Sequence, residues 1–304
     1  MTAIYKVILL LSGLLWFSAC GGDNSTNVNT NNTNPPPSDS VINKSPKRGL
    51  SYDLRYKLDF DSLKSGVSWW YNWYFKTDVT LDYYKDYQME FIPMLWGGSP
   101  SSSEIASVKS FILSHPEIKY LLVMNEPNLT DQANRTPQQA AEDWLIYEKV
   151  IDDLAAMGRI VYLVGPAMNW GTMTNYSDPV KWLDTFYAVF RTNNGGRAPR
   201  IDYLAFHWYD YGLAAQLDRL AKYGKKIWIT EMANWNANIN SYEKQAEQMR
   251  EMVALCENRD DVFRYAWFIG RGTYPDNKYT YLFTPAPGEM TQLGKLYISL
   301  PFKK

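Results

Sequence analysis

Two stretches of this 304-residue chain carry a carboxyl group to the end of an apolar run. The first reads Leu121-Leu122-Val123-Met124-Asn125-Glu126-Pro127-Asn128, and the second Ile227-Trp228-Ile229-Thr230-Glu231-Met232. A buried run that ends in an acid sets that acid at the rim of the core, within reach of a substrate. Two such carboxyls about 5–5.5 Å apart suit the cleavage of a glycosidic bond: one gives its proton to the leaving oxygen while the other attacks the anomeric carbon. Like charges in close quarters cannot both ionise freely, so one of the two is expected to hold the proton while the other is the carboxylate.

Further residues point to the same rim. His207 ends the run Ala205-Phe206-His207-Trp208-Tyr209, and Tyr209 shares its face because strand side chains alternate, which would let the phenol hydrogen-bond the nucleophile. The chain has 2 histidines, so a histidine-rich metal site is not expected. It has no G-x-S-x-G nucleophile motif, and Cys256 falls within a helical pattern, which leaves no hydrolytic serine or reactive cysteine. The site is therefore expected to work with neither metal nor cofactor. With 12 Trp and 23 Tyr the aromatic content exceeds what one core needs. Trp70, Trp73, Trp96, Trp170, Trp235 and Trp267 fall near strand ends and are candidate platforms for pyranose rings, and Asn72, Asn125 and Asn169 are candidate partners of sugar hydroxyls.

Something must hold these groups together. Short apolar or β-branched runs occur at 48–53, 66–74, 90–97, 118–125, 160–167, 202–209, 226–231 and 262–270, with polar, helix-compatible stretches between them. Amphipathic helices are predicted at 103–114, 136–157 and 241–258, the last with Ala246, Met249, Val253 and Cys256 along one stripe. Eight β-then-α units predict an α/β fold, a (β/α)8 TIM barrel with the two acids at the C-terminal ends of strands 4 and 7. A doubly wound sheet is disfavoured because no glycine-rich phosphate loop follows the first strand.

The N-terminal region reads differently. Lys6, an apolar run over 7–17 and small residues before Cys20 form an export signal over 1–19, and the small residues ahead of Cys20 suggest lipidation at that cysteine. An ordinary cleaved signal with an incidental Cys20 is the alternative, and either predicts an exported protein. Residues 20–46, rich in Asn, Ser, Thr, Gly and Pro, predict a flexible tether, leaving 47–304 as one domain. A net charge of −1 favours neither a nucleic-acid partner nor an acidic polymer, and a neutral polysaccharide fits better. The expectation is a membrane-anchored monomer.

Taken together, Trp70-Tyr71-Asn72-Trp73, Phe91-Ile92-Pro93-Met94-Leu95-Trp96-Gly97, Asn125-Glu126-Pro127, Ala205-Phe206-His207-Trp208-Tyr209, Trp228-Ile229-Thr230-Glu231 and Tyr265-Ala266-Trp267-Phe268 resemble glycoside hydrolase family 128 across 47–304. The closing Met290-Thr291-Gln292-Leu293-Gly294 is similar to that family's last helix. The resemblance implies a barrel of the 4/7 type and retaining cleavage of β-1,3-glucans, with Glu126 as acid/base and Glu231 as nucleophile. It further implies Asn125 at the 2-hydroxyl and Trp267 as the aromatic floor under the reacting sugar. A glucan-binding lipoprotein and a related barrel acting on another neutral β-glycan are the competing readings.

Overall fold

The computed structural model describes residues 41–272 and 279–303; the signal, Cys20 and the tether up to residue 40 lie outside the described residues. Among the described residues nine strands alternate with eight α-helices. The strands are β1 Arg48–Ser51, β2 Trp69–Tyr71, β3 Glu90–Phe91, β4 Met94–Leu95, β5 Tyr120–Val123, β6 Tyr162–Met168, β7 Tyr203–Trp208, β8 Ile227–Met232 and β9 Val262–Trp267. The helices are α1 Lys57–Leu63, α2 Tyr83–Tyr87, α3 Ser102–Ser114, α4 Pro137–Ala156, α5 Pro179–Asn193, α6 Leu213–Leu220, α7 Tyr242–Asn258 and α8 Gln292–Ser299. All strand pairs are parallel, in the order β3-β2-β1-β9-β8-β7-β6-β5-β4.

The two ends of that order are neighbours in sequence. The single run expected at 90–97 divides at Ile92-Pro93, where proline supplies no N–H to a ladder. Ile92 N donates to Trp70 O on the β2 side, while Pro93 O accepts from Leu122 N on the β5 side. The run thus passes its pairing from one neighbour to the other, and the sheet curls.

The helices begin where local chemistry dictates. Ser101 with Glu104 and Thr136 with Gln139 form reciprocal capping boxes at α3 and α4, and Pro137 and Pro179 stand in the first turn of α4 and α5, where no partner is needed for their missing N–H.

Alternation along the strands separates two cores. Leu50, Trp70, Phe91, Leu121, Phe206, Ile229 and Trp267 face outward under the helices. Trp69, Tyr71, Met94, Leu122, Val164, Ala205, Trp228 and Ala266 fill the inside of the curled sheet. Trp69 and Trp228 are fully buried there and meet edge to face at 5.1 Å. The Arg264 guanidinium lies 4.8 Å from the centre of the Trp228 ring and 5.0 Å from that of Tyr120, and it pairs with Glu90 at 2.7 Å. Its charge is met by ring faces and one carboxylate in place of water.

Contacts of the folded unit reach back to Ile42, before the boundary expected at residue 47, because polar side chains of that segment find buried partners. Lys44 Nζ donates to Val67 O and Tyr87 O, and Ser45 Oγ donates to Glu257 at 2.5 Å. Arg48, 1% exposed, joins Tyr265 Oη, Tyr297 O and Leu300 O, tying β1 to the end of α8.

Gly49 makes the inner packing possible. A Cβ at that position would lie 2.2 Å from Cε2 of Trp69, inside a ring that has no room to turn. Gly49→Ala is therefore expected to destabilise the fold by about 1–3 kcal/mol through overpacking, read as a lowered denaturant midpoint with an unchanged slope.

Candidate active site

Glu126 is reached through an irregular exit from β5. Met124 and Glu126 take φ values of 56° and 45°, in the left-handed region that costs most residues about 1 kcal/mol or more. The exit is pinned on both sides: Asn125 N donates to Trp96 O at 2.9 Å, Glu126 N to Ala167 O at 2.8 Å, and Ala167 N to Met124 O at 3.0 Å. The strain is local and these bonds fix its outcome. Glu126 is turned inward at 7% exposure, with Asn169 Nδ2 donating to its Oε1 at 2.8 Å.

Glu231 is aimed by a bulge. In the β7–β8 ladder Phe206 pairs with Ile229, yet His207, the next residue, pairs with Glu231, so Thr230 is the extra residue. An inserted residue breaks the two-residue alternation and re-aims the side chains after it. Thr230 and Glu231 therefore both serve the inner side, while Met232 returns to the outer core. The Glu231 carboxylate accepts from Tyr71 Oη at 2.9 Å and Trp73 Nε1 at 2.7 Å on one oxygen, and from Tyr209 Oη on the other. An ionised carboxylate offers only acceptors, and three donors on rigid aromatic frames fix its direction.

His207 sits between the two acids and is fully buried. Its Nδ1 lies 2.8 Å from Glu126 Oε1 and 3.5 Å from Glu231 Oε2, and its Nε2 lies 2.9 Å from Thr230 Oγ1. For His207, burial is the largest influence and pushes the pKa down, but the charge of Glu231 and the bond to Glu126 outweigh it and leave the imidazole above its ordinary 6.5. For Glu126, burial is again largest and pushes upward, yet His207 and the Asn169 amide hold the carboxyl below its ordinary value. The expectation that repulsion between the two acids, strengthened by apolar neighbours, raises Glu126 is not met: the His207 imidazole beside it draws the carboxyl the other way.

Ligand atoms of Glu126, His207 and Glu231 lie within 4.8 Å of one another, close enough to surround a small cation. Every one of these groups is already hydrogen-bonded within the site, so a metal would have to displace those bonds; the donor set reads as a hydrogen-bonded acid pair.

Of the aromatic candidates, Trp73 and Tyr209 stand at the acids. Trp235 stacks on Tyr209 with ring centres 3.9 Å apart and planes 18° from parallel. Trp96, Trp170 and Trp235 keep 37%, 44% and 43% of their surface exposed, enough to present a ring face to a ligand. Two candidates lie elsewhere. Trp70 points outward against Phe60, Tyr83 and Phe91, and Trp267 is fully buried with Nε1 on Thr280 O. Alternation explains both: Ala266 faces inward, so Trp267 cannot, and Phe268 does instead, with its ring 5.9 Å from Trp73, 5.7 Å from Tyr209 and 5.5 Å from Trp235. Tyr71, Thr230 and Phe268 are the site residues that the sequence reading passed over; counting alternate residues from Trp69 and Ala266 finds Tyr71 and Phe268.

The asparagines divide by role. Asn169 holds Glu126, Asn72 braces the β2 exit through Asp53 and Lys76 O, and Asn125 donates to Gln132 while its Oδ1 is buried with no partner in the protein.

The raised imidazole has a measurable consequence. It contributes stability that is complete below about pH 6.5 and lost as pH rises through its folded value. The Tm difference between wild type and His207→Gln is expected to shrink steadily from pH 6 to pH 9; a gap that widens over that range would contradict the assignment.

A sequence profile described as glycosyl hydrolase catalytic core matches residues 49–297. The chain is 27% identical over 270 residues to Alkali-sensitive linkage protein 1 of Schizosaccharomyces pombe, covering 84% of this chain and 45% of that protein, so it spans less than half the length of this curated relative. Among solved structures it is similar to a subgroup II endo-β-1,3-glucanase of glycoside hydrolase family 128 from Pseudomonas viridiflava, at 52% identity and a TM-score of 0.79, covering 86% of this chain and 100% of the other. The corresponding subgroup II enzyme from Sorangium cellulosum is 33% identical with a TM-score of 0.72, covering 85% and 100%. With the profile spanning nearly the whole described unit and 52% identity to a solved member over 86% of the chain, the chain belongs to the glycosyl hydrolase catalytic-core family and to glycoside hydrolase family 128.

Proposed function

We propose that this chain is an endo-acting, retaining β-1,3-glucanase. The observation that carries the reading is the pair Glu126 and Glu231, whose ligand atoms and that of His207 lie within 4.8 Å of one another, in keeping with the short carboxyl spacing of a double-displacement site and not with the wider spacing that admits an attacking water beside the sugar. The names borne by the similar enzymes of Pseudomonas viridiflava and Sorangium cellulosum supply the linkage and the endo action. The fold reading beside it is a (β/α)8 barrel in which β3 and β4 are halves of one strand, so that Glu126 follows the fourth strand and Glu231 ends the seventh.

In this mechanism Glu231, oriented by Tyr71, Trp73 and Tyr209, attacks the anomeric carbon. The new C–O bond consumes its charge as the old glycosidic bond breaks, and Glu126 delivers a proton to the departing oxygen. Water then enters, gives a proton to Glu126 and its oxygen to the anomeric carbon, and frees Glu231 with the β configuration restored. Asn125, next to Glu126, is read as the partner of the 2-hydroxyl of the reacting sugar, and its Oδ1 has no partner within the protein. The Phe268, Tyr209 and Trp235 rings form an aromatic wall beside Glu231, and the partly exposed Trp96 and Trp170 extend the track for a long glucan. The signal, Cys20 and the Asn/Ser-rich tether support a lipid-anchored form acting outside the cytoplasm, on polymer that no transporter could import whole.

The test is reducing-sugar release from linear β-1,3-glucan with NMR of the first product anomer. Wild type is expected to give the β anomer first, and Glu231→Ala to lose at least about 10⁴-fold in kcat, since the nucleophile is gone. Azide should restore turnover to that variant as an α-glycosyl azide. An α anomer from wild type would refute retention. Trp235→Ala is expected to raise KM for laminari-oligosaccharides several-fold more than it lowers kcat, because it removes stacking of roughly 1–2 kcal/mol from ground and transition state alike.

A further inference from the structure

The His207 ring is held at both edges, and only one edge faces an acid. Nδ1 meets Glu126 Oε1 at 2.8 Å, while Nε2 meets Thr230 Oγ1 at 2.9 Å. Thr230 is 1% exposed and is the bulge residue that also turns Glu231 inward, so one irregularity in β8 serves both acids. Among the described residues, the titratable groups facing the imidazole are Glu126 from the β5 exit and Glu231 from β8, with Tyr209 and Tyr71 behind Glu231.

We propose that Thr230 is a positioning residue for the acid step: its hydroxyl accepts from His207 Nε2–H, which confines the mobile proton of the ring to Nδ1, where it exchanges with Glu126. The proposal rests on the reading of Glu126 as the acid. An imidazole has two nitrogens, and an acceptor fixed at one of them decides which tautomer the neutral ring adopts. With Nε2–H committed to Thr230, loss of one proton from the imidazolium leaves a lone pair at Nδ1, facing the carboxyl that has just received the proton.

The resting site then holds one proton on the His207–Glu126 pair, as an imidazolium beside a carboxylate, in keeping with the raised His207 and the lowered Glu126. As Glu231 attacks, its negative charge passes into the new C–O bond and the imidazolium loses its second counter-charge. The Nδ1–H bond breaks, an O–H bond forms on the Glu126 carboxyl, and the charges of the pair cancel. The carboxyl turns about its terminal bond, a broad two-fold torsion, and yields the proton to the leaving oxygen. In the second half-reaction Glu126 takes a proton from water and returns it to Nδ1, which restores the starting charges.

The experiment compares wild type, Thr230→Val, Thr230→Ser and Glu126→Ala on linear β-1,3-glucan and on a dinitrophenyl β-laminaribioside, whose leaving group departs without a proton. Thr230→Val keeps the shape and removes the acceptor, leaving a charged buried N–H unpaired. It is expected to move the alkaline limb of kcat/KM to lower pH and to slow glucan cleavage about tenfold, a part of the 10²–10⁴-fold that general acid catalysis supplies, while the aryl substrate loses far less. Thr230→Ser, which keeps the hydroxyl, should retain the wild-type limb; Thr230→Ala serves for the same comparison if the valine variant does not fold. Equal losses on both substrates with an unmoved limb, or a Thr230→Val profile identical to wild type, would overturn the proposal. A wild type inactive on both substrates, or a Glu126→Ala variant without leaving-group dependence, would overturn the underlying reading of the acid instead.

Discussion

The arrangement of this molecule turns on one buried contact, the imidazole of His207 lodged between Glu126 and Glu231. Two carboxyls this close and this dry would repel each other, and each would be costly to ionise alone. The imidazole between them, whose pKa their charges raise above its ordinary value, lets both keep their places. Its position in turn requires β7 to stand directly beside β8, the bulge at Thr230 to bring Glu231 level with it, and the left-handed turn of Glu126 to bring the first acid across from β5. Each of these features makes little sense without the others.

Rigidity for that constellation comes from below. Inside the curled sheet, Trp69, Trp228, Tyr120 and Phe263 close around Arg264, and nothing larger than the hydrogen of Gly49 fits beside the Trp69 ring. Packed aromatic edges do not slide as aliphatic chains do, so the strand ends above them are held in register. The buried Arg48 bonds to the end of α8 and to Tyr265 of β9 close the far side, so the last helix is fastened to the first strand. The two carboxyls thus hang from a frame of packed rings and buried ion pairs.

The aromatic rim divides by exposure into two functions. Tyr71, Trp73 and Tyr209 donate to Glu231 and are fixed by doing so. Trp96, Trp170 and Trp235 stay partly exposed, and Arg219 lies over the Trp170 ring. For the neutral glucan of the proposed function, charge contributes little, so affinity has to come from ring faces and hydroxyl partners.

Much of this was legible in the chain alone. The period of the apolar runs marked every strand region, amphipathic patterning marked the helices α3, α4 and α7, and the positions of Glu126, Glu231, His207 and Tyr209 at the ends of those runs marked the candidate site. These are local properties: a run of alternating side chains or a cap is written in neighbouring residues. What the chain did not reveal depended on which way an irregular backbone turns. Trp70 and Trp267 look like platforms in sequence and are wall packing in space, because one step along a strand reverses the face, and Tyr71 and Phe268 take the inner places. The direction of the Glu126 shift was not legible for a related reason: a pKa is set by whatever approaches across the fold, and His207, 81 residues away, lies 2.8 Å from the carboxyl. Sequence determined the elements and the acids; only the tertiary structure decided which face each residue serves and which charge meets which, since both depend on bulges, left-handed turns and long-range pairings that no local pattern encodes.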